Sequence, residues 1–303
     1  RFLTRLAQSR GMVTVRAPAT SANLGSGFDV FGAALDRPAD IVRVEKADRT
    51  TIDVTGYGSE FIPEDPDANT VGAVAEALDA PAHIQIDKGI RPSSGLGSSG
   101  ASAAAAALAL NELYDRGLSR RDLVPIAGKG EATVSGEVHL DNVAPALLGG
   151  FTVATGRDVT VVDADIPLVA CLPEIAISTR DARDVVPAGA TMEQLIYTVG
   201  RAATLTTGMC RDDPRLVGKG MHDRLVTPAR ADLISGYAGV REAALDAGAT
   251  GVTVSGAGPG VIAACYPGDR QDIAAAMVEA FADAGVDSRA YQTKIGRGAT
   301  LYP

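Results

Sequence analysis

The sequence predicts an α+β fold built from two domains, residues 12–155 and 156–303. Short apolar runs and helical segments follow one another in no strict strand–helix–strand order. An alanine-rich run after Gly100 reads as a long helix that can pack closely on a sheet. The chain has 303 residues, 46% of them hydrophobic, which is enough for a large core and fits one large or two ordinary domains.

The first half of the chain predicts five strands and three helices. Met12 looks like a natural start because a strand-like run follows it. Alternating apolar and polar residues predict strands at 13–16, 33–35, 41–46, 51–55 and 82–87, and Pro18 ends the first of them. Apolar residues at helical spacing predict helices at 69–79 and 99–114. Ser119 with Asp122 resembles a capping box that opens a third helix, and residues 131–142 are either irregular or a further helix start.

The second half repeats the mixed pattern. Residues 151–155 and 159–162 predict a hairpin around Gly156. Further strands are predicted at 169–172, 175–178, 252–255 and 261–265, and helices at 192–205, 230–245 and 272–284. No low-complexity linker and no internal repeat interrupts them, so only a weak signal near residue 155 marks the domain boundary.

Composition excludes several classes of function. The net charge of −9 and the lack of a Lys/Arg run argue against a nucleic-acid partner. No apolar run reaches the ~18 residues of a membrane span. The three cysteines are widely spaced and form neither a metal pattern nor a disulfide framework, which predicts a reducing cytoplasm.

The most informative motif is Gly-Leu-Gly-Ser-Ser-Gly at residues 95–100, directly before the alanine-rich helix. Glycines let the backbone approach a ligand, and the first helical turn offers N–H groups that favour phosphate. No Lys follows, so this is not a Walker loop. The spacing also matches a dinucleotide fingerprint, but residues 88–94 do not read as a buried strand. A plain loop with a helix cap would explain this motif taken alone.

The loop resembles the phosphate loop of the GHMP small-molecule kinases, Pro-x-x-x-Gly-Leu-Gly-Ser-Ser-Ala. Pro92 stands one place late, Arg91 takes the usual proline position, and Gly100 replaces the alanine. Segments 18–29, 139–151 and 254–259 resemble the homoserine kinases within that family. The resemblance implies a two-domain GHMP kinase fold, with a ribosomal S5 domain 2-like N-terminal domain and a ferredoxin-like α/β C-terminal domain.

The same resemblance implies a nucleotide and metal site. ATP would lie on Asn69, Arg91, Pro92, Ser93, Ser94, Gly95, Leu96, Gly97, Ser98, Ser99 and Gly100. Ser99 and Glu131 would hold Mg²⁺, which prefers hard oxygen ligands. An ordinary helix cap is the alternative for Asn69, and a solvated helix-end acid is the alternative for Glu131.

The resemblance further implies an amino-acid pocket. Asp29 would bind the substrate ammonium, and the forks of Arg183 and Arg230 would bind its carboxylate. Surface ion pairs are the alternative for each arginine. Asn142 would orient the acceptor hydroxyl without accepting its proton, and Asp29 is the carboxylate able to orient or deprotonate it. Further pocket contacts are expected from Asn23, His139 and Thr179.

The implied activity is ATP-dependent phosphorylation of L-homoserine to O-phospho-L-homoserine for threonine synthesis, by a cytoplasmic homodimer. A GHMP kinase for mevalonate, shikimate or pantoate is the alternative within the family. A nucleotide-binding sensor without catalysis is the alternative outside enzymes, although Ser98, Ser99 and Glu131 are all present. An NAD-dependent oxidoreductase does not fit the position of the glycine loop.

Overall fold

Two sheets organise the chain in a computed structural model that describes residues 11–135, 140–156 and 158–302. The first sheet contains β1 (Met12–Ala22), β2 (Phe31–Lys46), β3 (Thr51–Gly56), β4 (Ala82–Lys88), β5 (Phe151–Thr155), β6 (Asp158–Val162) and β11 (Thr300–Leu301). The second contains β7 (Pro167–Pro173), β8 (Gly251–Val254), β9 (Val261–Ala264) and β10 (Ser288–Lys294).

The helices of the described residues fall into two groups along the chain. The first group is α1 (Thr70–Ala77), α2 (Ser98–Leu113), α3 (Arg120–Ser135) and α4 (Leu140–Leu148). The second is α5 (Thr179–Asp184), α6 (Met192–Cys210), α7 (Pro214–Gly220), α8 (Val226–Ala231), α9 (Tyr237–Asp246) and α10 (Arg270–Asp283). Short 3₁₀ turns at Ser59–Phe61 and Pro66–Ala68 precede α1.

The long strand β2 is the centre of the first sheet and pairs with β1, β4 and β5. All of these pairings are antiparallel, whereas β3 runs parallel to β4. The prediction that β1 ends at Pro18 is wrong, since the strand continues to Ala22. A register shift between Pro18 and Thr20 absorbs the proline, which cannot donate a ladder hydrogen bond.

Helix α2 is the core of the first unit and confirms the helix predicted from the alanine-rich run. Its residues from Gly100 to Asn111 are all buried. The helix packs against β1, β2, α1, α3 and α4. Because alanine adds little volume, neighbours can approach this helix from every side, and its first turn is held firmly beside the sheet.

The second sheet has the strand order β10-β7-β9-β8 with all neighbours antiparallel. Numbered within this unit, that order is 4-1-3-2, the ferredoxin-like arrangement that was expected. A separate hydrophobic core between this sheet, α9 and α10 includes Phe281, Met277 and Val261.

Two predicted elements of the second half are wrong. Residues 175–178 form no strand; Ile177 packs into the second core from an irregular segment, and the Ser178 side chain caps α5 by accepting from the N–H of Asp181 at 3.0 Å. The single helix predicted at 230–245 is two helices, α8 and α9. Gly236 separates them with a φ of 84°, a left-handed conformation that glycine adopts readily.

The sheets also bear on the domain boundary. Strand β6 pairs with β5 in the first sheet, and β11 returns from the C-terminal end to pair with β1. The division at 155/156 stays a prediction, with these two strands lying in the N-terminal sheet.

Among the described residues, the helices are too short or too polar to span a membrane. All three cysteines are free thiols, and Cys171 and Cys265 are buried.

Candidate active site

A cavity of about 320 Å³ brings together the segments that the sequence singled out. The Gly-rich loop forms one wall, and Asn69 and Glu131 lie along it. Asp29, Asn142, Arg183 and Arg230 line the same cavity, together with the loop 256–258. The predicted nucleotide and amino-acid subsites therefore share one cavity.

The Gly-rich loop enters α2 through Gly97, which has a φ of 60°. A Cβ atom at this position would lie 2.0 Å from the Thr20 Oγ1 atom and 2.5 Å from Asn142 Oδ1, so only glycine fits. The N–H groups of the first helical turn have no intrahelical acceptors and lie at the positive end of the helix dipole. The loop therefore has the geometry of an anion-binding cradle.

The loop is anchored from behind through its carbonyl groups. Leu96 O accepts from the N–H of Thr20 at 3.1 Å, and Gly95 O accepts from the Ser255 hydroxyl at 2.7 Å. Ser94 O accepts from the N–H of Gly260 at 3.1 Å, while its own Oγ is buried without a hydrogen-bond partner among the described residues. A buried unsatisfied hydroxyl beside the cavity fits a polar ligand there.

Ser99 and Glu131 meet at the start of α2. The Ser99 hydroxyl donates to Glu131 Oε2 at 3.0 Å. Burial raises the pKa of the Glu131 carboxyl to about 7, with Asp141 adding to the shift and Ser99 and Lys88 opposing it. Within the described residues no three His, Cys, Asp or Glu side chains form a metal cluster. A hydroxyl and one carboxylate are instead a donor set that suits Mg²⁺ completed by phosphate oxygens and water.

Beneath this pair lies a buried ion pair that no sequence motif predicts. The Lys88 ammonium donates to Asp40 Oδ2, to Ser98 O at 2.9 Å and to the Ser102 hydroxyl at 2.9 Å. Asp40 Oδ1 accepts from the N–H groups of Gly89 and Ile90, both at 3.0 Å. The ion pair therefore ties the end of β4 to the first turn of α2.

Asp29 and Arg183 face each other in the wall of the cavity. The Arg183 fork reaches both carboxylate oxygens of Asp29, at 3.0 and 3.1 Å. Asp29 has a φ of 56°, and neighbouring Asn23 and Leu24 are left-handed as well. Strained backbone of this kind concentrates at functional sites, because the surroundings must hold it in place.

Asn23 holds that backbone in place. Its side-chain oxygen accepts from the N–H of Asp29 at 2.9 Å, and its amide nitrogen donates to Gly256 O at 3.0 Å. The side chain is buried, at 7% exposure. Asn23 therefore positions Asp29 against the 256–258 loop, and its direct contact with a substrate stays a prediction.

Arg230 is buried at 4% exposure, which rules out a surface ion pair for this residue. Its Nε donates to Ala182 O at 3.1 Å and one terminal nitrogen donates to Gly256 O at 2.8 Å. The guanidinium carbon lies 5.1 Å from the centre of the Phe28 ring. Among the described residues it forms no salt bridge with a carboxylate, and burial lowers its pKa. A buried cation with one side toward a cavity is well suited to an anionic ligand.

Comparison with known proteins agrees with this geometry. The family "GHMP kinases N terminal domain" matches residues 69–150, and "GHMP kinases C terminal" matches residues 205–283. The homoserine kinase of Haloarcula marismortui is 73% identical over 96% of this chain and the whole of that protein. The homoserine kinase of Methanocella arvoryzae is 50% identical over 95% of this chain and 97% of that protein.

The chain belongs to the homoserine kinases of the GHMP kinase family. The crystal structure of the homoserine kinase from Cytophaga hutchinsonii superposes with a TM-score of 0.88 at 35% identity, covering 97% of this chain and 98% of that one. A mevalonate kinase from L. major, in complex with R-mevalonate, superposes with a TM-score of 0.73 at 17% identity, which shows the shared fold alone.

Most of the predicted nucleotide-binding residues line the cavity. Residues Pro92, Ser93, Ser94, Gly95, Gly97, Ser98 and Ser99 line the cavity, as does Asn69. The Asn69 side chain also caps α1, accepting from the N–H of Val71 at 3.1 Å. Three of the predicted nucleotide residues, Arg91, Leu96 and Gly100, do not line the cavity. Arg91 donates to Pro173 O at 3.2 Å, and Leu96 is fully buried in the core.

Thr20 belongs to the acceptor pocket, although the sequence motifs assign it no role. Thr20 donates from Oγ1 to Asn142 Oδ1 at 2.7 Å, which fixes the orientation of the Asn142 amide. The Asn142 amide nitrogen then donates to Asp141 Oδ1 at 3.5 Å, and Asn142 lines the cavity. Thr179 opens α5, but its side chain is not among the described features, and His139 lies outside the described residues.

The Lys88–Asp40 pair should contribute to the stability of the fold, and removing its buried ammonium tests this. Lys88→Met leaves a charged carboxylate inside the core, so we expect the free energy of unfolding to fall by about 3 to 5 kcal/mol. Lys294→Met is the matched control, because that lysine forms an exposed ion pair with Asp165. Its loss should cost about 1 kcal/mol or less. Urea unfolding followed by circular dichroism measures both, and equal losses would contradict a special role for Lys88.

Proposed function

We propose that this chain transfers the γ-phosphoryl group of ATP to the side-chain hydroxyl of L-homoserine, giving O-phospho-L-homoserine. The observation that carries the proposal is the buried Arg230 guanidinium, which faces the cavity without a carboxylate partner among the described residues, beside the Asp29–Arg183 pair. Family membership supports it through relatives that are named homoserine kinases along almost the full chain.

The charges match an α-amino acid. Such a substrate brings one ammonium and one carboxylate. Asp29 would accept the ammonium, and the forks of Arg183 and Arg230 would bind the carboxylate. In the structure Asp29 and Arg183 pair with each other. A zwitterionic substrate would replace this contact, with its ammonium on Asp29 and its carboxylate on Arg183, so that neither residue would be left with an unpaired charge. A mevalonate-type acid has no ammonium and would leave Asp29 uncompensated once Arg183 turned to the acid.

The Gly-rich loop and the start of α2 suit the phosphate donor. The chain uses ATP as a member of a kinase family, and its phosphates would bind the N–H groups at the start of α2. Ser99 and Glu131 would hold Mg²⁺, which neutralises charge on the phosphates when bound. Lys88 and Asp40 keep this helix start in position from below.

Asn142 is suited to orienting the acceptor hydroxyl. Thr20 occupies its carbonyl oxygen, so the amide N–H₂ is the group that would donate to the hydroxyl oxygen. Phosphoryl transfer through a loose transition state depends mainly on positioning and charge neutralisation. Asp29 is the carboxylate that would orient the hydroxyl or take its proton.

Substrate identity is tested by an ADP-release assay over homoserine, mevalonate, shikimate, pantoate, serine and threonine. Homoserine should exceed every other alcohol by at least about tenfold in kcat/KM, roughly 1.4 kcal/mol of differential transition-state binding. The ammonium and carboxylate contacts supply that difference over the acids that lack an amino group. Mevalonate or pantoate as the best substrate would overturn the proposal.

The cellular setting is proposed on a narrower basis. We place the enzyme in the cytoplasm because its three cysteines are free thiols. We also propose a homodimer, which analytical ultracentrifugation of the full chain would test.

A further inference from the structure

A second cavity, of about 390 Å³, lies between α6, α7, α9 and β8. None of its lining residues belongs to the active-site cavity. Its cationic residues come from four separate places: Arg201 from α6, Lys219 from α7, Arg224 from the α7–α8 connection and Arg241 from α9. The folded chain therefore gathers four positive charges around one hollow, together with His222.

The positive charge of this cavity is opposite in sign to the net charge of the protein. The chain carries a net charge of −9. Within the described residues none of the four cations forms a salt bridge. The neighbouring Asp223 is occupied, since its carboxylate accepts the N–H groups of Leu225, Val226 and Thr227 at the start of α8. The Asp223 carboxylate opposes the field of the cations at His222, but it is one negative charge beside four cations that repel one another.

Tyr197 fixes part of this arrangement. The guanidinium carbons of Arg224 and Arg201 lie 4.0 and 4.7 Å from the centre of its ring, so one aromatic side chain holds both. Its hydroxyl hydrogen-bonds His222 Nδ1 at 2.7 Å. Arg201 also donates to Lys219 O at 3.1 Å. The forks are therefore held in place before any ligand arrives, which lowers the entropy that binding must overcome.

His222 reports the local field. Burial lowers the pKa of its imidazole, and Arg201, Arg241 and Arg224 lower it further, while Asp223 acts in the opposite direction. An anion bound among the arginines would stabilise the protonated ring and move the pKa upward. The side chain thus offers a readout that belongs to this cavity.

We propose that this cavity binds a small multivalent oxyanion, one with at least two phosphate or carboxylate charges. Planar guanidinium forks match both kinds of group, and several forks around one concave hollow favour a compact ligand with more than one charge. A cavity of this volume suits a small molecule, whereas an acidic protein partner would contact a far larger area of the surface. The proposal is independent of the substrate of the active site.

The test uses the full-length enzyme, with the imidazole signals of its three histidines followed by NMR at fixed ionic strength. Pyrophosphate probes the phosphate source of charge, citrate the carboxylate source, and chloride a simple ion. We expect a saturable shift of the His222 signal with pyrophosphate or citrate, with a dissociation constant below about 1 mM, and no saturable shift with chloride. Whichever of the two binds more tightly identifies the anionic group.

Charge-removing variants decide whether the cavity itself binds. Arg224→Gln and Lys219→Gln alter exposed side chains, so both should fold, and each should weaken the response about tenfold. Arg215→Gln is the control, since that arginine is 76% exposed and lies outside the cavity. KM for ATP should stay unchanged in all three. The proposal is overturned if no saturable shift is seen at 10 mM probe, about tenfold above the expected dissociation constant. It is also overturned if chloride gives an equal response, or if the response of Arg224→Gln is unaltered.

Discussion

Glu131→Gln is expected to lower kcat by about 10²-fold or more while the protein stays folded. Glutamine keeps the size of the side chain and can still accept from the Ser99 hydroxyl, but it removes the anionic ligand proposed for Mg²⁺. Glu112→Gln is the matched control, because it makes the same change at the exposed C-terminal end of α2. The ADP-release assay at saturating magnesium measures both variants. Near-normal turnover of Glu131→Gln would rule out Glu131 as a ligand.

The stability of the same variant separates a functional from a structural role. The folded-state pKa of Glu131, about 7, lies above its ordinary value of 4.5, so the folded state favours the protonated side chain. The metal-free parent should therefore lose stability as pH rises from about 4.5 to about 7. Glutamine stays neutral, so the variant should gain in melting temperature relative to the parent across that window. A variant less stable than the parent at pH 8 would show that the ionised carboxylate supports the fold.

The sequence predicts the structure best where the signal is local. The phosphate loop and α2 follow from consecutive glycine, serine and alanine residues, and the structure places Gly97 at the start of the helix as expected. The strand predicted at 175–178 is absent because Ile175 and Ile177, which alternate as in a strand, both pack into the second core from irregular backbone. Local alternation cannot tell these cases apart, since tertiary packing decides between them.

The interactions that escaped the sequence join distant residues. Lys88 and Asp40 are 48 positions apart and carry no motif, although they support the helix start. Thr20 and Asn142 are 122 positions apart, so the orientation of the Asn142 amide appears only in the folded chain. Asp29 and Arg183 were both expected in the amino-acid pocket, but their bidentate contact with each other was not. The charge of a side chain indicates that it will form an ion pair when buried, but it does not indicate with which residue.

That contact sharpens the test of the carboxylate site. Removing either fork, by Arg183→Ala or Arg230→Ala, should raise KM for homoserine and leave KM for ATP unchanged. The loss in kcat/KM should be about 2 to 3 kcal/mol, roughly 30- to 150-fold, as for other charge-assisted contacts. Lysine at either place should restore little, because a point charge cannot form the planar pair. Arg215→Ala, at an exposed site, is the control.

A mutation alone is ambiguous at Arg230, since its guanidinium also bonds Ala182 O and Gly256 O and its loss will loosen the pocket. The substrate can be changed instead. Homoserine with an amidated carboxylate should be a poor substrate for the parent enzyme, yet suffer little further loss in either arginine variant, because the contact is already gone. Such non-additivity is the signature of two groups that touch. Fully additive losses for Arg230→Ala would assign that arginine to holding α5 against the 256–258 loop, and the same outcome for Arg183→Ala would place the carboxylate elsewhere in the cavity.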